Sequence, residues 1–129
     1  MNPGPQSRSD NAFTKKYRQK QSEYRANVLK VPCGVGPNKG SKNKYGNMLM
    51  DGHKSGLNFI SEAAFLFAKQ KVLDKQVNND LTIDEYRLFN NMLSSMPMCF
   101  NLFSDLRALL LLDQEATNRV IKSMFSELS

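Results

Sequence analysis

Leu93-Ser94-Ser95-Met96-Pro97-Met98-Cys99-Phe100-Asn101-Leu102-Phe103 is the stretch on which the fold turns. Its front half breaks a helix and its back half starts another. Serine hydroxyls compete for backbone groups inside a helix. Pro97 lacks an N–H and fits the first helical position, where that donor has no partner anyway. From there apolar residues recur at helical spacing: Cys99, Leu102, Phe103, Leu106, Leu109 and Leu110 share a face. The run Leu109–Leu112 is apolar all round, which a small body covers with difficulty.

Working upstream, Thr82-Ile83-Asp84-Glu85 fits a capping box, in which hydroxyl and carboxylate satisfy each other's free amide donors. It predicts a helix to Leu93 that buries Tyr86, Phe89 and Leu93. Asn78-Asn79-Asp80 reads as a turn. Before it, Phe59–Val77 predicts a helix with Ile60, Ala63, Ala64 and Phe67 on one stripe. Downstream, Asp113 caps a last helix carrying Val120, Ile121, Met124, Phe125 and Leu128. No run alternates convincingly with period two, so little or no strand is expected. The fold class is mainly α, a small helical bundle. Residues 57–129 would bury only about 60–65% of their unfolded surface, so a partner, a second copy or further chain is expected over the leucines.

The other half is a different material. Residues 1–56 hold 11 Lys/Arg against 3 Asp/Glu, and residues 57–129 hold 7 against 9, so a net +8 precedes a net −2. All 7 glycines lie at or before Gly56. Three segments are expected: a disordered arm over 1–12, a basic helix and Gly/Lys-rich loop over 13–56, and a helical core over 57–129. Phe13, Tyr17, Tyr24 and Val28 fall on one face of a helix Phe13–Leu29, among Lys15, Lys16, Arg18, Lys20 and Arg25. Cations interleaved with aromatics suit a phosphate backbone and its bases. A stripe that docks on the rest of the protein, with merely solvated lysines, fits the same pattern. The long loop offers Lys39, Lys42 and Lys44 as phosphate contacts, and plain flexibility accounts for it equally. Its Gly34-Val35-Gly36 is no nucleotide motif: the chain has no Gly-Lys dipeptide, and Lys39 stands where the dinucleotide fingerprint needs glycine.

Several classes drop out. No apolar run approaches the roughly 18 residues of a membrane span. The N-terminus has no apolar leader core. Cys33 and Cys99 make no disulfide framework. Two free thiols in the cytoplasm are expected, with Cys99 a small buried hydrophobe. A single histidine, His53, argues against a His-based metal site.

Two stretches resemble a known family. Gly56-Leu57-Asn58-Phe59-Ile60-Ser61 and Leu93–Phe103 are similar, in order and spacing, to segments of bacterial PD-(D/E)XK nuclease-like proteins. The resemblance covers roughly residues 45–110. It implies an α/β nuclease fold, with these helices as one layer on a mixed sheet, and chemistry from Mg²⁺, a carboxylate cluster and a lysine. In the family the catalytic strands follow the Cys-Phe-Asn-Leu-Phe segment. Here none of the 12 acidic residues is followed two positions later by Lys. The resemblance therefore implies an N-terminal helical part or truncated relative, inactive alone. No cofactor is expected on this chain, and Mg²⁺ only with a catalytic half. Glu62 is the best match to the acidic residue that first helices of this fold turn to the metal. Its other reading is helix N-terminal charge.

Two functions follow. One is binding of DNA or RNA through Lys15, Lys16, Arg18, Lys20, Arg25, Lys39, Lys42 and Lys44. The other is a non-enzymatic interaction module that docks through Cys99, Phe100, Leu102, Phe103, Leu106 and Leu110, on a catalytic nuclease half or a second copy. No membrane partner is expected.

Overall fold

A computed structural model describes residues 2–78 and 82–126, the side chain of Asp105 excepted. The expected turn residues Asn79 and Asp80, and Leu128 of the last stripe, lie outside them.

The elements run α1 (Ala12–Tyr24), a π-helical turn (Arg25–Leu29), β1 (Cys33–Val35), β2 (Lys44–Leu49), α2 (Gly52–Ser55), α3 (Glu62–Val77), α4 (Glu85–Asn90), α5 (Ser95–Leu112) and α6 (Gln114–Ser126). The protein is mainly helical, with one two-stranded antiparallel sheet among the described residues. Local chemistry sets most of the helix starts. The side chains of Asn11, Ser61, Asp84 and Ser94 accept from the amides of Thr14, Ala64, Arg87 and Met96, each covering a donor that the helix leaves unpaired. Asp113 does the same for Ala116 ahead of α6. Details differ from the sequence reading: α3 begins at Glu62 rather than Phe59, and α4 ends at Asn90 rather than Leu93. Asp84 rather than Thr82 caps α4, and Pro97 sits in the first turn of α5 behind Ser95 and Met96.

The core gathers Phe59, Ala64, Ala68, Val72, Leu88 and Phe89, with Phe65, Ile83, Met96 and Phe100 packed against it. Alanines at 64 and 68 let α3 approach closely, and the rings of Phe59, Phe65 and Phe89 stand 5.7–6.1 Å apart, the spacing of tilted aromatic pairs. Gly56 closes α2 at φ +68, and a Cβ there would lie 2.5 Å from the Phe65 ring. The buried stripe of α3 is thus Ala64-Ala68-Val72. The expected Ile60 and Ala63 face outward.

Part of the expected loop is the β1–β2 hairpin. Met48 and Leu49 are fully covered, between α1 on one side and α4 on the other. Contacts from the residues ahead of α1 reach the hairpin and α1. The Pro5 carbonyl accepts from Gly46 N at 2.8 Å, and Gln6 Nε2 donates to Ser22 Oγ at 3.0 Å. A Cβ on Gly46 would sit 2.2 Å from the Pro3 carbonyl oxygen, so only glycine lets the arm cross β2.

Candidate nucleic-acid interface

The eight basic residues expected to face phosphate divide into two groups. Arg25 is 3% exposed. The widened π turn aims its guanidinium at three backbone carbonyls. It donates to Gly46 O at 2.6 Å, to Pro3 O at 3.0 Å, and to Val31 O. Arg18 pairs with Asp10 through two nitrogens, at 2.6 and 3.1 Å, and donates to Asn47 Oδ1 at 2.6 Å. That guanidinium holds the Asp10 carboxyl below the usual carboxylate range. Both arginines therefore tie the arm and hairpin together, their donors engaged within the fold. The remaining six, Lys15, Lys16, Lys20, Lys39, Lys42 and Lys44, are exposed. None forms an ion pair among the described residues, where the pairs are Arg18–Asp10 and Lys71–Asp74.

The aromatic stripe of α1 is also exposed. Phe13 and Tyr17 pair at 4.6 Å between ring centroids, and Tyr24 and Val28 face solvent. The helix docks through Ser22, Arg25 and Ala26 instead, small or hydrogen-bonded groups that let it lie close to β2.

Lys39 and Lys44 reach the rim of a cleft of about 500 Å³ between the hairpin, α2 and α4. Asp51, His53 and Glu85 line it too, residues that sequence patterns did not single out together because Glu85 comes from α4, far along the chain from Asp51 and His53 at α2. Tyr86 lines the cleft as well. Its hydroxyl donates to Val35 O at 2.6 Å, and burial pushes its pKa up.

Glu62 stands exposed in the first turn of α3, behind the Ser61 cap. Among the described residues no group of three or more His, Cys, Asp or Glu is placed to hold a metal ion. Neither β1 (Cys-Gly-Val) nor β2 (Lys-Tyr-Gly-Asn-Met-Leu) carries a carboxylate. The described residues thus supply no carboxylate cluster of the kind a Mg²⁺ site needs.

The two motif stretches meet. Asn101 Oδ1 accepts from Ile60 N at 2.9 Å, and its Nδ2 donates to Asn58 O at 3.1 Å. Asn58 Nδ2 in turn donates to the carbonyls of Leu88 and Asn91, at 3.0 and 3.2 Å. The asparagines of both motifs thus act as clasps that join α5, the segment before α3 and the end of α4. A further chain, Arg18–Asn47–Asn91, runs from the basic half into the helical half.

A sequence model of the PD-(D/E)XK nuclease superfamily matches residues 8–129. The chain belongs to that superfamily. The match extends past the 45–110 covered by the motifs and takes in α1, the hairpin and α6. No curated protein and no solved structure matches it. In this superfamily member the asparagines of the two motifs bond backbone and join the helices.

The expected docking face is split as well. Phe100 packs inward, its ring 5.4 Å from Phe67. Cys99, Leu102, Phe103 and Leu110 are exposed, and Leu106 is half-buried. Cys99 is thus no buried hydrophobe, because α5 turns Pro97, Phe100 and Ser104 to the body instead. Both cysteines are free. On α6, Thr117 is buried while Val120, Ile121, Met124 and Phe125 remain exposed. As a helix, Ser95–Leu112 is long and apolar enough to cross a membrane by length and composition alone, with mean hydropathy 1.2. Core helices of globular proteins reach the same values. Here Arg107 lies over the Phe67 ring at 4.5 Å.

Proposed function

We propose that this chain is a nucleic-acid-binding part of a PD-(D/E)XK superfamily protein, and that by itself it cleaves nothing. The observation that carries the reading is the six exposed lysines without ion pairs, three on α1 and three on the hairpin. Lysines left unpaired keep their full attraction for phosphate, and each phosphate contact releases a condensed counterion. Inactivity is supported by strands without carboxylates and by the absence, among the described residues, of a metal-holding cluster.

Fluorescence anisotropy with labelled duplex and single-stranded oligonucleotides between 50 and 200 mM salt tests the binding. Three to six contacts give a slope of log K against log salt of about −3 to −5 on duplex. No binding, or a slope near zero, would overturn it. Mg²⁺-dependent cleavage abolished by Glu62→Ala would overturn the inactivity.

A second reading rests on the exposed apolar faces of α5 and α6. In it the chain docks on a protein, a catalytic half or a second copy, through Leu102, Phe103 and Leu110. Light scattering that finds self-association without oligonucleotide affinity would favour it over the first.

A further inference from the structure

We infer that the cleft between the hairpin, α2 and α4 receives one phosphorylated nucleoside, either a free mononucleotide or an unstacked nucleotide of a strand. The inference rests on the nucleic-acid reading and narrows it to a site. Four groups of opposite sign share this cleft, Lys39 and Lys44 from the hairpin and Asp51 and Glu85 from the helical side, yet no ion pair forms between them. All four are exposed. Opposite charges that line one cavity at more than bonding distance define an occupant with two different ends. One end must be anionic, for the ammonium groups. The other must offer hydrogen-bond donors, because ionised carboxylates only accept. Phosphate and ribose hydroxyls, or the amino group of a base, are such a pair.

The rest of the lining is largely apolar. Val35, Met50 and the Tyr86 ring belong to it and remain partly accessible, over Leu49 and Phe89 beneath. A cavity of about 500 Å³ lies within the roughly 300–1,000 Å³ that hold small ligands, and an aromatic wall suits the face of any base. Its walls are fixed before a ligand arrives. Tyr86 Oη holds α4 to β1, and Asn90 Oδ1 accepts from Gly52 N at 2.9 Å, which holds α2 to α4. A preformed site loses little ordering entropy on binding.

The test is an NMR titration of the full chain with adenosine 5′-monophosphate, adenosine and inorganic phosphate, followed at the amides of Gly34, Asp51 and His53. Saturable shifts are expected with the monophosphate, and binding at least about tenfold weaker with either fragment, since a charge-assisted contact contributes about 1.5–3 kcal/mol. The double variant K39A/K44A and, separately, Glu85→Gln should each weaken the monophosphate about tenfold or more while leaving the remaining spectrum unchanged. Release of the monophosphate by a single-stranded oligonucleotide identifies the strand as the source, and no release identifies the free nucleotide. No saturable shift, or shifts indifferent to both variants, overturns the inference. If an oligonucleotide then still binds with a steep salt slope, the broader reading stands without this site.

Discussion

Arg25 decides between two accounts of the basic helix. Counted as surface charge, it is one more phosphate contact. In the fold it is a buried cation whose three donors reach Gly46, Pro3 and Val31. Arg25→Ala removes those donors and leaves three carbonyls short of partners. An unsatisfied buried acceptor costs about 1–3 kcal/mol. Water entering the vacated space relieves the two part-buried ones only in part, so the expected loss is about 3–5 kcal/mol. Arg25→Lys keeps the charge but not the planar fork, and one ammonium cannot reach three diverging carbonyls. It should cost about 1–3 kcal/mol, the carbonyls it fails to reach. Urea denaturation followed by circular dichroism measures both variants, with the m-value checked for constancy. Oligonucleotide titration across salt, under conditions where the variants remain folded, supplies the second axis. The salt slope should match the wild type, because Arg25 meets no phosphate. If Arg25→Ala lay within about 1 kcal/mol of wild type while the slope fell by about one, the structural role would be refuted.

Other outcomes follow from the same contacts. Asn101→Ala should destabilise by about 1–3 kcal/mol, since it strips Ile60 N and Asn58 O of their partners; Asn101→Asp, which retains only the acceptor, should recover part of that in denaturation. Asp10 has a depressed carboxyl pKa in the folded protein, so the stability it contributes is present above the ordinary value of 3.8 and is lost as pH falls through the folded value. Asp10→Asn should therefore lower stability at neutral pH and flatten the acid limb of a stability-versus-pH curve. Tyr86 behaves in the opposite sense: its raised pKa gives stability that is complete below the ordinary 10.0 and declines as pH rises toward the folded value. Tyr86→Phe should cost about 1 kcal/mol, the bond to Val35 O, and remove that alkaline decline in thermal melts.

Helices announced themselves where caps and periodicity are local. Asp113 and the Ser94-Ser95 break are short-range chemistry, and they placed α6 and α5 within a few residues. What stayed hidden was decided at long range. The hairpin shows no alternation because residues 46–49 are all buried, two of them Gly46 and Asn47, which carry no strand signal. The inward turn of Arg18 and Arg25 depends on partners as far as 29 and 22 residues along the chain. The aromatic stripe on α1 pointed to the wrong buried face, because a close helix–strand approach prefers Ser22 and Ala26 to rings. Of the candidate interface, the lysines were legible and the cleft was not: Asp51, His53 and Glu85 gain meaning only when α2 and α4 are folded beside Lys39 and Lys44.

The clasp formed by Asn58 and Asn101 bears on how such signatures should be used as diagnostics. A motif that touches a reactant is under threat as soon as turnover ceases to matter. A motif pair that bonds backbone on two separate segments, and ties a third helix to them, is required for as long as the protein must fold. In this chain Gly-x-Asn-Phe and Cys-Phe-Asn-Leu-Phe therefore report how the helices are joined.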